Sequence, residues 1–148
     1  TTNLYQKITI LNKEYEILPT KGQIKATEHF IFVNEQLDIK KQIKLLFKNQ
    51  LFSLFKEKTY KYYGIMSLQC SFPKIIIKDV KSKWGSYNKV KHEIIYSSEL
   101  LFKNERVYDY IIVHELSHIL QFDHSKKFYE IVSRYCPNYK VLRKELKG

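Results

Sequence analysis

Two cysteines, one methionine, one tryptophan, three prolines and four glycines in 148 residues leave this sequence short of several raw materials. Cys70 and Cys136 stand alone, with no C-x-x-C spacing, so neither a disulfide framework nor a cysteine metal site nor a redox pair is available. Both are expected to be reduced, mostly buried thiols. So few glycines and prolines build no linker, and there is no internal repeat or low-complexity tract, so one domain over residues 1–148 is expected. No apolar run approaches the roughly 20 residues needed to span a bilayer, and the N-terminus lacks the basic and apolar regions of a signal peptide. The chain is expected to be soluble and cytoplasmic, with no membrane partner. It opens Thr1-Thr2 without Met, as a chain trimmed upstream would.

Arginine is also scarce. The net charge is +11, yet of 26 basic residues only Arg106, Arg134 and Arg143 are arginine, whose planar fork is the favoured reader of phosphate. The lysines run the whole length of the chain and are expected to be scattered over its surface. A nucleic-acid partner is therefore weighed and not favoured.

Histidine is concentrated where it counts. Three of the five lie within eleven residues, in His114-Glu115-Leu116-Ser117-His118 followed by His124. On an α-helix, positions four apart differ by about 40° around the axis and about 6 Å along it, so His114 and His118 project side by side and can share one metal ion. Glu115 lies about 60° around the axis from His118, the general-base position of the H-E-x-x-H pattern. Ile112, Leu116 and Ile119 cluster opposite the histidines, so one face of the helix is expected to pack while the other looks into a space. Zinc sites that do chemistry keep three protein ligands, and His124 is the natural third. A metzincin would need glycine at position 121 and a downstream methionine turn, but the chain has Gln121 and its only methionine, Met66, lies upstream. A gluzincin would draw its third ligand from a later helix, with Glu130 or Glu145 as candidates. His124 ranks above both because imidazole suits zinc and it is nearer in sequence.

Periodicity places these residues. Strands are predicted from Gln6 to Leu11, from Glu14 to Leu18 across an Asn12-Lys13 turn, and from His29 to Val33, closing an N-terminal block over residues 1–36. Residues 37–63 form a long amphipathic scaffold helix, with Ile39, Ile43, Leu46, Phe47, Leu51, Leu54 and Phe55 on one stripe. A sheet follows over 72–98, from Ile75-Ile76-Ile77, Ser82 to Tyr87 and, after a turn near Asn88-Lys89, Glu93 to Ser97. The metal-binding helical part covers 105–148: a helix from about Glu105 to Phe122, a break at Asp123-His124-Ser125, a helix from Lys126 to Tyr135 capped by Ser125, and a last one opened by Pro137 and running to Lys147. Blocks of strands and helices of this kind predict an α+β fold with a mixed or antiparallel sheet.

An ordered series of motifs carries a resemblance. Lys83-Trp84-Gly85-Ser86, Tyr108-Asp109-Tyr110-Ile111-Ile112-Val113 leading into the histidine motif, His124-Ser125 with Phe128-Tyr129, and Pro137-Asn138-Tyr139 with Arg143 together resemble the YgjP-like zinc metallopeptidases, relatives of the SprT and WLM groups of minimal zincins. The likeness runs from about residue 74 to 147, and more weakly over the long helix. It implies a compact zincin-like domain in which His114, His118 and His124 hold Zn2+ and Glu115 is the catalytic base. The chain departs from the family at Tyr87, where cysteine is usual, and at Tyr129, where tryptophan is usual.

The expected chemistry is hydrolysis. A bound zinc ion acidifies water to a pKa of about 7, and Glu115 is placed to take the proton as a peptide carbonyl is attacked. Tyr96, Tyr129, Tyr139 and Arg134 are candidate donors to the oxyanion. Trp84 and Gly85 serve equally well as pocket wall or as packing. An extended peptide or protein substrate is expected to dock along Glu93–Ser97 as on an exposed strand edge. Each ligand histidine is expected to give its other N–H to Asp123 or to backbone rather than to Asp109, which lies about 140° around the helix from His114. Two other readings are zinc-dependent hydrolysis of a phosphoanhydride or nucleotide, and a nucleic-acid-associated protein with a structural metal.

Overall fold

The computed structural model describes residues 6–147. Strands β1 (Lys7–Ile10) and β2 (Lys13–Pro19) form an antiparallel hairpin in which Ile10 faces Lys13. Its two turn residues are Leu11 and Asn12, with φ of 50° and 68°. Two successive left-handed residues match the twist of a tight hairpin, which sets the turn one residue earlier than the expected Asn12-Lys13. β2 runs parallel to β4 (Phe30–Val33), and β3 (Lys25–Ala26) closes the far edge, giving the order β1-β2-β4-β3. Two residues carry no readable period, so β3 had no signal in the sequence.

Helix α1 (Ile39–Ile65) starts where the Asp38 carboxylate accepts the Lys41 N–H at 3.1 Å. Gln42 fixes the entry of the chain: its amide accepts from Asn34 N and donates to Asn34 O, both at 2.8 Å. Ile43, Phe47, Leu51, Phe55 and Thr59 are buried at strict four-residue steps. Each step overshoots a full turn by about 40°, so the buried stripe winds around the helix. One helix thereby packs on β4 and, further along, on a second sheet and the helix that carries the histidines.

That second sheet holds β5 (Lys74–Lys78), β6 (Gly85–Asn88) and β7 (Glu93–Ser97) in the order β5-β7-β6. Glu93–Ser97 is therefore an interior strand and not the exposed edge expected from the sequence: β7 pairs parallel with β5 on one side and antiparallel with β6 on the other. Ile94 and Tyr96 are fully buried, and the run Ile94-Ile95-Tyr96 is apolar on both faces, as strands inside a covered sheet are. β6 is an edge of this sheet, and it begins three residues later than the predicted Ser82.

A 3₁₀ turn at Ser98–Phe102 leads to α2 (Arg106–Leu120), followed by α3 (Lys126–Tyr135) and α4 (Tyr139–Lys147). The Tyr108 hydroxyl donates to Leu100 O at 2.6 Å and binds the 3₁₀ turn to α2. Phe55 of α1 packs on Tyr96 and Tyr108 with ring centroids 4.7 and 4.8 Å away, and the Tyr96 hydroxyl meets Thr59 Oγ1 at 2.8 Å. Burying a phenylalanine of this kind contributes about 2–3 kcal/mol. This cluster joins α1, β7 and α2 in one core. Among the described residues no helix is long and apolar enough to cross a membrane.

Candidate metal centre

α2 carries ten buried residues of fifteen, because α1, β6, α3 and α4 all pack against it. It stops at Leu120, where Gln121 turns extended (φ −144°, ψ 104°) without any need for glycine. The Gln121 side chain donates to Asp123 Oδ1 at 2.8 Å, and Ser125 caps α3 by accepting the Phe128 N–H at 3.4 Å. This short turn folds His124 back over the helix it has just left.

The three histidines converge through one atom each. His118 Nε2 lies 3.1 Å from His124 Nε2, and His124 Nε2 lies 3.3 Å from His114 Nε2. All three fall within 4.8 Å of one another, and among the described residues this is the one cluster of its kind. The buried ring of Phe128 stacks on His118 (4.4 Å, 24°) and meets His114 and His124 edge-on at 5.0 and 5.1 Å. It acts as a common floor for the imidazoles.

The outer nitrogens set the tautomers. His118 Nδ1 is 3.3 Å from Gln121 O, an acceptor only, so Nδ1 carries the proton and Nε2 presents its lone pair inward. His114 Nδ1 is 3.3 Å from the Tyr110 hydroxyl, one turn upstream on the same helix. A backbone partner was expected; the tyrosine was not. Asp109 is turned away from the ligand face, as its position on the helix requires, and its carboxylate accepts from Lys58 Nζ at 3.1 Å and from the Tyr62 hydroxyl at 3.0 Å.

Burial, then His118, His124 and Arg143, push the His114 imidazole down to about 3, and burial followed by His124 also lowers His118. Neutral imidazoles with lone pairs turned to one point are a set of donors for a cation, and the residues present fit one. Glu115 is 4% exposed, and burial pushes its carboxyl up to about 8 against the opposing pull of Lys83. A side chain at position 85 would crowd it: a Cβ on Gly85 would stand 3.0 Å from Glu115 Oε2 and 3.2 Å from its Cγ. Gly85 is thus part of the wall, and β6 lies directly against the carboxylate.

A cavity of about 270 Å³ opens there, between Trp84 and Gly85 on one side, His114 and Glu115 on α2, and Arg143 and Leu146 on α4. The other sequence candidates are placed elsewhere. Arg134 is exposed on α3, and Tyr96 is sealed in the core. Tyr129 and Tyr139 stack on each other (5.6 Å, 19°), with Tyr139 also stacked on Tyr110 (6.5 Å, 22°), so they support the site from behind. Glu130 is exposed and Glu145 pairs with Arg106, and neither joins the histidines. Tyr87 meets His92 Nδ1 at 2.8 Å, and His92 Nε2 meets Ser71 O at 2.7 Å, which ties down the β6–β7 turn. Cys136 is buried, its thiol pushed up to about 11 by burial and then by Asp109. The cavity residue missing from the four candidate donors Tyr96, Tyr129, Tyr139 and Arg134 is Arg143, which entered the sequence analysis only as part of a motif.

The fold and this cluster define a metallopeptidase. Residues 3–148 match the YgjP-like metallopeptidase domain family, and the chain belongs to it. Among solved structures it is similar to the metallopeptidase zymogen abylysin of Pyrococcus abyssi, with a TM-score of 0.57 and 21% identity over 62% of this chain and 90% of that one. The jannalysin zymogen of Methanocaldococcus jannaschii is similar with a TM-score of 0.50 and 23% identity, over 61% of this chain and 95% of that one. At such identities the likeness establishes the α+β metallopeptidase fold. No curated protein matches the sequence.

Proposed function

We propose that this metallopeptidase is a zinc enzyme in which His114, His118 and His124 hold the ion and Glu115 is the general base. The observation that carries the reading is the convergence of the three Nε2 atoms. At zinc–nitrogen distances of about 2.0–2.1 Å, neighbouring ligands of a tetrahedron stand roughly 3.3 Å apart. The two separations of 3.1 and 3.3 Å match that edge. Bound there, zinc supplies the Lewis acidity that polarises a peptide carbonyl and acidifies water.

The chain's own groups do the rest. Glu115 accepts the proton of the attacking water on its carboxylate and returns it to the nitrogen of the leaving amine. Phe128 excludes water from behind the imidazoles, and Gln121 O and the Tyr110 hydroxyl keep their rings turned inward. The substrate is a peptide, extended along β6, the sheet edge that lies against Glu115.

The test combines metal analysis with turnover. Zinc-loaded protein is expected to carry one ion per chain, and His124→Ala to lose it. Glu115→Gln is expected to keep metal and fold while turnover of a mixed peptide panel drops roughly 10²–10⁴-fold. Undiminished zinc in His124→Ala would discard the ligand set, and equal activity in Glu115→Gln would remove the base.

A further inference from the structure

Among the described residues, Arg143 stands in the cavity without a counter-charge. Its Nη1 donates to the Tyr129 hydroxyl at 3.1 Å, and its guanidinium lies 5.4 Å from the centroid of the same ring. Both contacts are with a neutral phenol. Other shielded cations of the fold find carboxylates: Lys44 takes Asp79 and Glu99, and Lys58 takes Asp109. Among the described residues no carboxylate lies within 4.0 Å of Arg143, although it is half-buried. Shielding a cation from water without pairing it is unfavourable, and the arrival of an anion relieves the cost.

A guanidinium has five N–H donors in a planar fork, shaped to take both oxygens of a carboxylate. Tyr129 uses one of them and holds the group's orientation. Among the described residues the only acid lining the cavity is Glu115, whereas Lys147 adds a second positive charge on the same wall as Arg143. Trp84, Ile111 and Leu146 supply an apolar lining between the charges. At about 270 Å³ the space is smaller than sites for drug-sized ligands, roughly 300–1,000 Å³, and suits a residue or two of an extended peptide.

We propose that Arg143 is a specificity residue that binds a carboxylate of the peptide adjacent to the scissile bond. The carboxylate is either the free C-terminus of a short peptide or an Asp or Glu side chain. This rests on the peptidase reading above, because the same cavity holds His114 and Glu115: a peptide whose carbonyl reaches them presents its neighbouring residue to Arg143. Tyr129 is a positioning residue for the guanidinium.

Two pairs of acetylated pentapeptides test it. The first pair has no acidic side chain and ends in either a free acid or an amide. The second has an amidated end and carries either Asp or Asn at one internal position. Binding is measured by calorimetry on zinc-loaded Glu115→Gln protein, which needs no turnover, and kcat/KM on zinc-loaded wild type. The acid member of one pair is expected to bind and react at least about tenfold better, and which pair does so identifies the source of the carboxylate. Adding Arg143→Gln should bring that ratio close to one, mainly through KM, with metal content and melting temperature unchanged. Arg143→Lys should restore part of the ratio, and Tyr129→Phe should lower it several-fold without unfolding the chain. A ratio near one in wild type, or a full ratio retained in Arg143→Gln because the carboxylate binds elsewhere, would overturn the proposal. Acid-selective binding without hydrolysis would sustain it and count against the peptidase mechanism instead, while hydrolysis indifferent to the carboxylate would do the reverse.

Discussion

α1 and α2 touch across the core yet use their sequences in opposite ways. α1 buries seven of its 27 residues, five of them in one winding stripe, and turns most of its lysines to solvent, whereas α2 buries ten of fifteen. The cause is their surroundings: α1 lies on the outside of two sheets, and α2 is enclosed by α1, β6, α3 and α4. On a helix with a wet face, polar residues are unremarkable and carry no message. On an enclosed helix every polar group needs a partner or a task. His114 and His118 face His124, Tyr110 holds His114, Glu115 faces the cavity, and Ser117 Oγ, among the described residues, has no hydrogen-bond partner at all. Polar groups inside a buried helix are therefore the better guide to function.

The comparison breaks most visibly at the seam between the two helices. Phe55→Ala removes a fully buried ring that touches both Tyr96 and Tyr108, and should cost about 3–5 kcal/mol in urea unfolding. Leu45→Ala, on the same helix but 71% exposed, should stay within about 0.5 kcal/mol. Equal losses would show that α1 does not have the two faces described.

A smaller effect is expected where β6 meets α2. Gly85→Ala requires Glu115 to give way by a few tenths of an ångström. Turnover should fall about tenfold, in line with the sensitivity of catalysis to misplacement, while zinc content stays at the wild-type level. Full activity would mean that Glu115 need not be held where it is seen.

Ser117→Ala tests the enclosed helix from the other direction. Deleting a fully buried hydroxyl with no partner, and replacing serine by the best helix former, should stabilise the protein by about 0.5–1 kcal/mol. A loss of stability of that size would reveal that the hydroxyl makes an interaction.

The smallest effect belongs to the scaffold side. Lys44 is only 9% exposed in its side chain, and its ammonium donates to Asp79 at 2.8 Å. Burial opposes the Lys44 charge, but hydrogen bonds to Asp79 and Glu99 outweigh it and raise its pKa, while the Lys44 ammonium holds the Asp79 carboxyl below its usual range. A depressed carboxylate stabilises the fold at pH values above its unfolded pKa of about 3.9, and that contribution drains away as pH falls through the lower folded value. Because Asp79 is 44% exposed, solvent screening keeps the effect below about 1 kcal/mol. Asp79→Asn should thus lower stability at pH 7 and converge with wild type as pH falls through the lowered folded-state pKa of Asp79. A difference that persists unchanged into acid would show that the pair's charge is irrelevant.

Much of the architecture was legible because its causes are local. The 3.6-residue period of α1, the Ser125 cap and the Lys126–Tyr135 span of α3 depend on neighbours in the chain; the cap and α3 lie where the pattern put them, and α1 lies two residues further along than 37–63 at both ends. β7 has the predicted span but is interior rather than an edge, because an apolar pentapeptide does not say which strands flank it. Nothing local singled out Arg143, because it and the candidate Arg134 are both lone arginines on short C-terminal helices, and only the packing of α4 against α2 distinguishes them.

What the sequence by itself determined is the placing of His114, Glu115 and His118 along one helix, since residues three and four apart are neighbours whenever the backbone is helical. His124 follows from the break after that helix, which the chain encodes in Asp123 and Ser125. The tertiary structure alone decided that Phe128 would floor the imidazoles, that Gly85 would lie against Glu115, and that Arg143 would enter the cavity. Those contacts join segments brought together by the burial of separate apolar faces, which is non-directional along the chain and leaves no spacing to read.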